Sequence, residues 1–156
     1  MKGKAVLISI KPKWCTAIFC GDKDVEVRKT KPQKLQPPFK CYVYCTKGSG
    51  KSGLAEGMVI GEFVCDRIYQ LDMDSVGIGA HCKDGFVYLS DIGWNTALTR
   101  KEFLAYAGSK RPFGWHVSQP RLYKEPLTIG DVKPPQSWCY VYESEVKNDE
   151  SKIVPN

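Results

Sequence analysis

Apolar and polar positions alternate from the start of the chain. Over Lys4 to Ile10, Val6, Ile8 and Ile10 point one way, and Leu7, Ser9 and Lys11 the other, the period-2 signature of a strand. Pro12 at a first helical position opens a short helix to about Cys20, with Trp14, Ala17 and Ile18 on one face and Gly21 as its stop. Asp24 to Lys29 alternates again, with Val25 and Val27 on one side and Asp24, Glu26 and Arg28 on the other. Three prolines make Thr30 to Pro38 a loop. Phe39 to Thr46 and Met58 to Tyr69 then read as a hairpin around a glycine-rich turn, Lys47 to Gly57. Leu71 to Gly85 reads as an irregular surface loop, followed by a short strand at Phe86 to Leu89. Thr99-x-x-Glu102 is a capping box for a helix that uses Phe103, Leu104 and Ala107 as its apolar side and stops at Gly108. Strands at Phe113 to Val117 and Arg121 to Tyr123, interrupted at Gln119-Pro120, and at Ser137 to Tyr142 complete the pattern. The order, mostly consecutive strands with two short helices, predicts an α+β domain: an antiparallel or mixed β-barrel with two helices flanking it. One domain over 1–143 and a polar, disordered tail over 144–156 are expected.

Charge sharpens this picture. Residues 1–51 carry twelve Lys or Arg against three acids, a net of +9, whereas residues 52–156 carry eleven bases against fourteen acids, a net of −3. If the first half is contiguous in space it presents a basic face, which suits a phosphate-bearing partner. No apolar run approaches the roughly 20 residues that span a bilayer. The opening run also lacks a signal-peptide cleavage site, so a cytoplasmic protein with no membrane association is expected. Seven cysteines, an odd number set partly in apolar stretches, read as reduced thiols. Cys41-x-x-x-Cys45 and His81-Cys82 offer two ligands each but not the paired spacing of structural zinc sites. Neither a metal nor a cofactor is expected.

Two stretches carry candidate chemistry. Gly48-Ser-Gly-Lys-Ser-Gly53 has the look of a phosphate-binding loop, but Cys45 stands where the first glycine should be and a strand, not a helix, follows. It reads as a hairpin turn whose Lys47 and Lys51 can touch a nucleic-acid backbone. The other stretch runs from Ser9 to Arg28. Strand parity puts Ser9 and Lys11 on one face and Glu26 and Arg28 on another, and the helix between them is too short to carry the strands far apart. Lysines, a carboxylate and a guanidinium thus converge near one helix end, where Glu26 shapes the pKa of Lys23 or Lys11 and Arg28 holds an anion. Spacing alone also fits an ordinary solvated face with an Arg–Glu ion pair. Trp14 or Trp115 offers a ring for a base to stack on, against the plainer reading of core packing. His116 has neutral-pH proton chemistry, against the plainer reading of a structural histidine.

The residues Ser9-Ile-Lys-Pro-Lys-Trp14 and Gly21-x-Lys23-x-x-Glu26-x-Arg28 resemble the signature of ASCH domains, small β-barrels of the PUA-like superfamily. Val59-Ile-Gly-Glu-Phe63, Tyr106-Ala-Gly108, Gly114-Trp-His116 and Pro135-Gln-Ser-Trp-Cys-Tyr140 extend the likeness to bacterial and phage ASCH proteins over about residues 4 to 142. The resemblance implies a cleft lined by the first strand, the first helix and the strand of Lys23, and a partner that is RNA or a modified nucleoside or nucleobase. One similar branch hydrolyses N4-acetylcytidine with a lysine in the G-x-K element, a threonine three residues later and a glutamate near the second helix. Another similar protein is a ribonuclease. Lys23 matches that lysine; Glu26 stands in place of the threonine, and no glutamate falls between Trp94 and Thr99. A carboxylate beside Lys23 favours its protonated form, a poor nucleophile. RNA or nucleobase binding is therefore the first expectation, with Ser9, Lys11, Lys13, Trp14, Arg28, Lys29, Trp115 and His116 as binding residues. Hydrolysis through Lys23 and Glu26 is the alternative.

Overall fold

In the computed structural model, which describes residues 3–146, the first alternating stretch is β1 (Lys4–Ile10). It is buried on both faces rather than one. Val6, Ile8 and Ile10 enter the main core with Cys15, Ile18, Val43, Phe63 and Trp115, while Ala5 and Leu7 enter a second cluster with Tyr42, Tyr44, Val59 and Val141. The reason is its position inside a sheet, parallel to β3 (Phe39–Cys45) and antiparallel to β8 (Trp138–Tyr142). α1 (Pro12–Phe19) follows with Pro12 in its first turn, and Cys15 and Ile18 facing the core. Its Phe19 packs against Gly61, where a Cβ would sit 2.6 Å from both the ring and the Arg121 carbonyl oxygen. Gly21, at φ +91, then reverses the chain in a conformation that other residues rarely adopt.

β2 (Val25–Arg28) pairs with β7 (Phe113–Leu127), and β3 forms the expected hairpin with β4 (Val59–Met73). The irregular loop expected from Leu71 to Gly85 is instead largely strand. β4 runs through Met73, turns at Asp74 to Gly77, and pairs with β5 (Ile78–Cys82), which pairs in turn with β6 (Gly85–Tyr88). The Asp74 carboxylate accepts the Val76 and Gly77 amides and so fixes the turn. Gly79 is required because the Phe86 ring occupies the space of a side chain there. A 3-10 turn (Leu89–Ile92) leads on to α2 (Arg100–Ala107), capped as expected by Thr99 and Glu102. Phe103 and Ala107 of α2 are buried, but Leu104 is exposed. Gln119-Pro120 does not break β7 in two. It forms a bulge, with Gln119 at φ +50, between the pairs Val64↔Ser118 and Glu62↔Arg121.

The described strands make one eight-stranded mixed sheet, ordered β2-β7-β4-β3-β1-β8 with β5 and β6 extending from β4. It is not closed into a barrel, which corrects the expected closure: β2 and β8 end the path without pairing. Side chains span the gap instead. Arg28 of β2 donates to the carbonyl oxygens of Ser9 and Ser137, and Trp138 Nε1 donates to Thr30 Oγ1 at 2.9 Å. A third helix, α3 (Glu143–Val146), follows β8 and buries Val146, so the first residues of the expected tail are ordered against the second core cluster. Residues 147–156 lie outside those described.

A polar pocket across the open sheet edge

The gap between β2 and the β1–β8 edge is a cavity of about 870 Å³. Seven of the residues singled out from sequence line it: Ser9, Lys11, Trp14, Lys23, Glu26, Arg28 and Lys29. They meet because β1 and β2 flank the gap and the short α1 connects them. Val27, Thr30, Thr46, Leu98, Glu102, Tyr106, Gln136 and Ser137 complete the lining.

Lys23 is 2% exposed. Its amide and that of Asp22 donate to the Ala17 carbonyl oxygen, so the turn at Gly21 folds the lysine back under α1. The ammonium donates to the Thr96 carbonyl oxygen, stands 4.0 Å from Glu26 Oε2, and lies 5.1 Å from the centre of the Trp14 ring. Burial pushes the Lys23 pKa below its ordinary value and outweighs the opposing pull of Glu26. This corrects the expectation that a neighbouring carboxylate decides its protonation, because loss of hydration is the larger effect.

The role expected of Arg28 also changes. A guanidinium has five N–H groups, and protein acceptors surround all three nitrogens. Nε and Nη2 reach Glu26 Oε1 at 3.3 Å each, Nη2 also reaches the Ser9 carbonyl oxygen at 2.7 Å, and Nη1 reaches the Ser137 carbonyl and hydroxyl oxygens at 3.1 Å. Arg28 therefore ties the open edges together and has no donor left for an anion. Glu26 spends Oε1 on Arg28, and its Oε2 is buried without a hydrogen-bond partner among the described residues. The Ser9 hydroxyl is likewise committed, donating to the Pro135 carbonyl oxygen at 2.7 Å.

Lys11 and Lys29 are exposed at the mouth, and the Lys29 ammonium sits 5.2 Å from the centre of the Tyr106 ring. Glu102 was read from sequence only as a cap. Its Oε1 accepts the Thr99 amide and its Oε2 lies 3.6 Å from Lys13 Nζ, while the side chain lines the pocket. The hydrogen bonds from Thr99 hold its carboxyl below the usual range. The capping-box spacing was its only sequence signal, and that spacing does not say which way the second oxygen points. The segment Asn95 to Leu98, whose Leu98 lines the pocket, is anchored by its neighbours. The Asn95 carbonyl oxygen accepts the amides of Asp24 and Val25, and Ala97 is held at φ +61.

Three expected binding residues lie elsewhere. Lys13 is exposed outside the lining, paired with Glu102 and 4.5 Å from the Trp14 ring centre. Trp115 is wholly buried in the core, edge-on to Phe39 and Trp138, so it has no face for a base. His116 hydrogen-bonds Asp66 at 2.6 Å and stacks on Trp94 with ring centres 4.1 Å apart, away from the pocket. The loop that resembles a phosphate cradle holds the protein's own carboxylate. Glu56 accepts the amides of Gly48 and Gly50 and the Ser52 hydroxyl. Cys41 and Cys45 are buried core thiols.

A mixed sheet with a polar pocket across its unpaired edges defines the class: the chain has the fold of ASCH proteins. It is similar to the crystal structure of ASCH from Zymomonas mobilis, with 20% sequence identity, a TM-score of 0.65, and 90% of each chain covered. A serine-to-alanine variant and a tyrosine-to-phenylalanine variant of that Zymomonas mobilis protein match with the same TM-score at 19% and 21% identity. No family model and no curated protein matches the sequence. Among the described residues no helix is long and apolar enough to cross a membrane.

Proposed function

We propose that the pocket binds a nucleobase or nucleoside unit of RNA. The observation that carries this reading is the cavity itself. Its volume of about 870 Å³ lies within the range of small-molecule sites. The rings of Trp14 and Tyr106 stand on its walls, Lys23 and Glu26 lie buried inside, and Lys11 and Lys29 stand exposed at its mouth. Rings accept the flat face of a base, and exposed lysines accept phosphates. The test is fluorescence anisotropy with short single-stranded RNA over a salt series, followed by displacement with free nucleosides. Affinity is expected to fall with salt by a log–log slope of about −0.7 per contacted phosphate, and nucleosides are expected to compete. No detectable binding at low salt would remove this reading.

A second reading, hydrolysis of acylated cytidine, draws support from Lys23. Burial lowers its pKa, which raises the share of neutral amine available as a nucleophile or base. Glu102 on the pocket wall also supplies a carboxylate near the second helix. The assay is turnover of N4-acylcytidines, abolished in Lys23→Ala. A panel of acylated nucleosides left intact by the wild-type protein would exclude it.

A further inference from the structure

Glu26 Oε2 is an ionisable oxygen in a residue only 5% exposed, and none of the described residues donates to it. An unmatched polar atom of this kind costs stability, more so for a charged group. Glu26 belongs to the pocket lining, and Oε2 itself is shielded from solvent. Beside it, 4.0 Å away, is the Lys23 ammonium, which has three N–H groups and gives one to Thr96. Arg28, the nearest other cation, is fully committed to protein acceptors.

We infer that the pocket floor reads the polar edge of an uncharged heterocycle, with an N–H donating to Glu26 Oε2 and an adjacent acceptor taking an N–H of Lys23, and that it excludes phosphate. This rests on the nucleobase reading and specifies which part of the ligand goes deepest. The 4.0 Å separation suits two hydrogen bonds of about 2.9 Å that diverge slightly from neighbouring atoms of one ring. A phosphodiester, the form phosphate takes in the RNA backbone, carries acceptors only. At the floor it would meet Lys23 but also face the unpaired oxygen of Glu26, with no help from Arg28. The exposed lysines Lys11 and Lys29 leave phosphates a place at the mouth instead. Base edges that pair a donor with an acceptor include the amine and ring nitrogen of cytosine and the ring N–H and carbonyl of uracil.

The experiment uses the wild-type chain and displacement of a fluorescent RNA. Cytidine is compared with N4,N4-dimethylcytidine and uridine with 3-methyluridine, each methylated form keeping the acceptor and losing the donor. Dimethyl phosphate, a phosphodiester with no O–H, is the third competitor. The expected result is at least about tenfold weaker competition by the methylated member of one pair, the loss typical of a hydrogen bond to a charged group. Dimethyl phosphate at matched ionic strength is expected not to displace a bound nucleoside, which is followed separately by calorimetric titration of nucleoside in its presence. Glu26→Gln keeps an oxygen for Arg28 but turns a donor amide toward the ligand, so it should erase the difference within the pair, with circular dichroism and melting confirming the fold. Equal competition by parent and methylated nucleosides overturns this inference alone. So does displacement of nucleoside by dimethyl phosphate. Failure of every nucleoside to compete overturns the underlying reading as well.

Discussion

Replacing Arg28 by methionine separates a structural guanidinium from an anion-binding one. Methionine keeps the length of the side chain and removes the charge and all five donors. Three losses follow: the Glu26 carboxylate loses its close partner at 3.3 Å, and the carbonyl oxygens of Ser9 and Ser137 lose theirs at 2.7 and 3.1 Å. Removing one member of a buried ion pair costs about 3–5 kcal/mol, because the other charge stays buried. For a chain of this size that corresponds to a melting temperature lower by about 6–20 °C. The assay is thermal and urea unfolding of the wild type, Arg28→Met, Glu26→Gln and the double variant. Glu26→Gln in the Arg28→Met background should recover part of the loss, since the orphaned charge is then gone, and the double-mutant cycle measures the coupling. Arg28→Lys should not rescue fully, because a point charge cannot reach both edges of the gap as a planar fork does. A change in stability below about 1 kcal/mol in Arg28→Met, the size of an exposed pair, together with a shallower salt dependence of RNA binding, would refute the reasoning and return Arg28 to the role of an anion contact.

Three other outcomes are expected. Lys23 has a folded-state pKa below its ordinary 10.5, so between those two values the unfolded chain binds a proton that the folded chain does not. Stability relative to Lys23→Met should therefore rise with pH across that window; a difference that stays flat up to about pH 10.5, the unfolded-state value, would contradict the burial effect. Trp115→Ala should cost about 3–5 kcal/mol by opening the core, whereas Trp14→Ala should cost RNA affinity about 1–3 kcal/mol if a base stacks there. Unfolding and anisotropy on both variants check the pair, and the reverse pattern would invert the assignment of the two tryptophans. The hydrogen bonds from Ser52, Gly48 and Gly50 hold Glu56 below its usual 4.5, so the amides of Gly48 and Gly50 should stay protected from hydrogen exchange above pH 4.5 and lose protection as pH falls through the lowered value. Glu56→Ala should lose that protection at every pH, and unchanged exchange in this variant would show that the carboxylate does not organise the loop.

Local signals in the sequence carried much of this protein. The alternation of Lys4 to Ile10, Pro12 opening α1, Gly21 closing it, and the Thr99–Glu102 box all act within a few residues, so their consequences are visible in the string. The convergence of Ser9, Lys11, Lys23, Glu26 and Arg28 was also legible, because a helix as short as α1 cannot separate the strands on either side of it. Long-range packing set the rest. Whether the polar face of β1 and β2 meets water or protein depends on β8 and the Ser137 segment, more than a hundred residues away. That distant edge turned Arg28 from a free cation into a saturated bridge and left one oxygen of Glu26 without a partner. Trp115 and His116 are neighbours in β7 with similar prospects on paper, yet one went to the core and the other to Asp66 and Trp94, since strand parity says that two faces exist but not what covers each. Lys23 shows the same division: its place beside Glu26 follows from a spacing of three residues, but its pKa is governed by how completely the folded chain strips it of water.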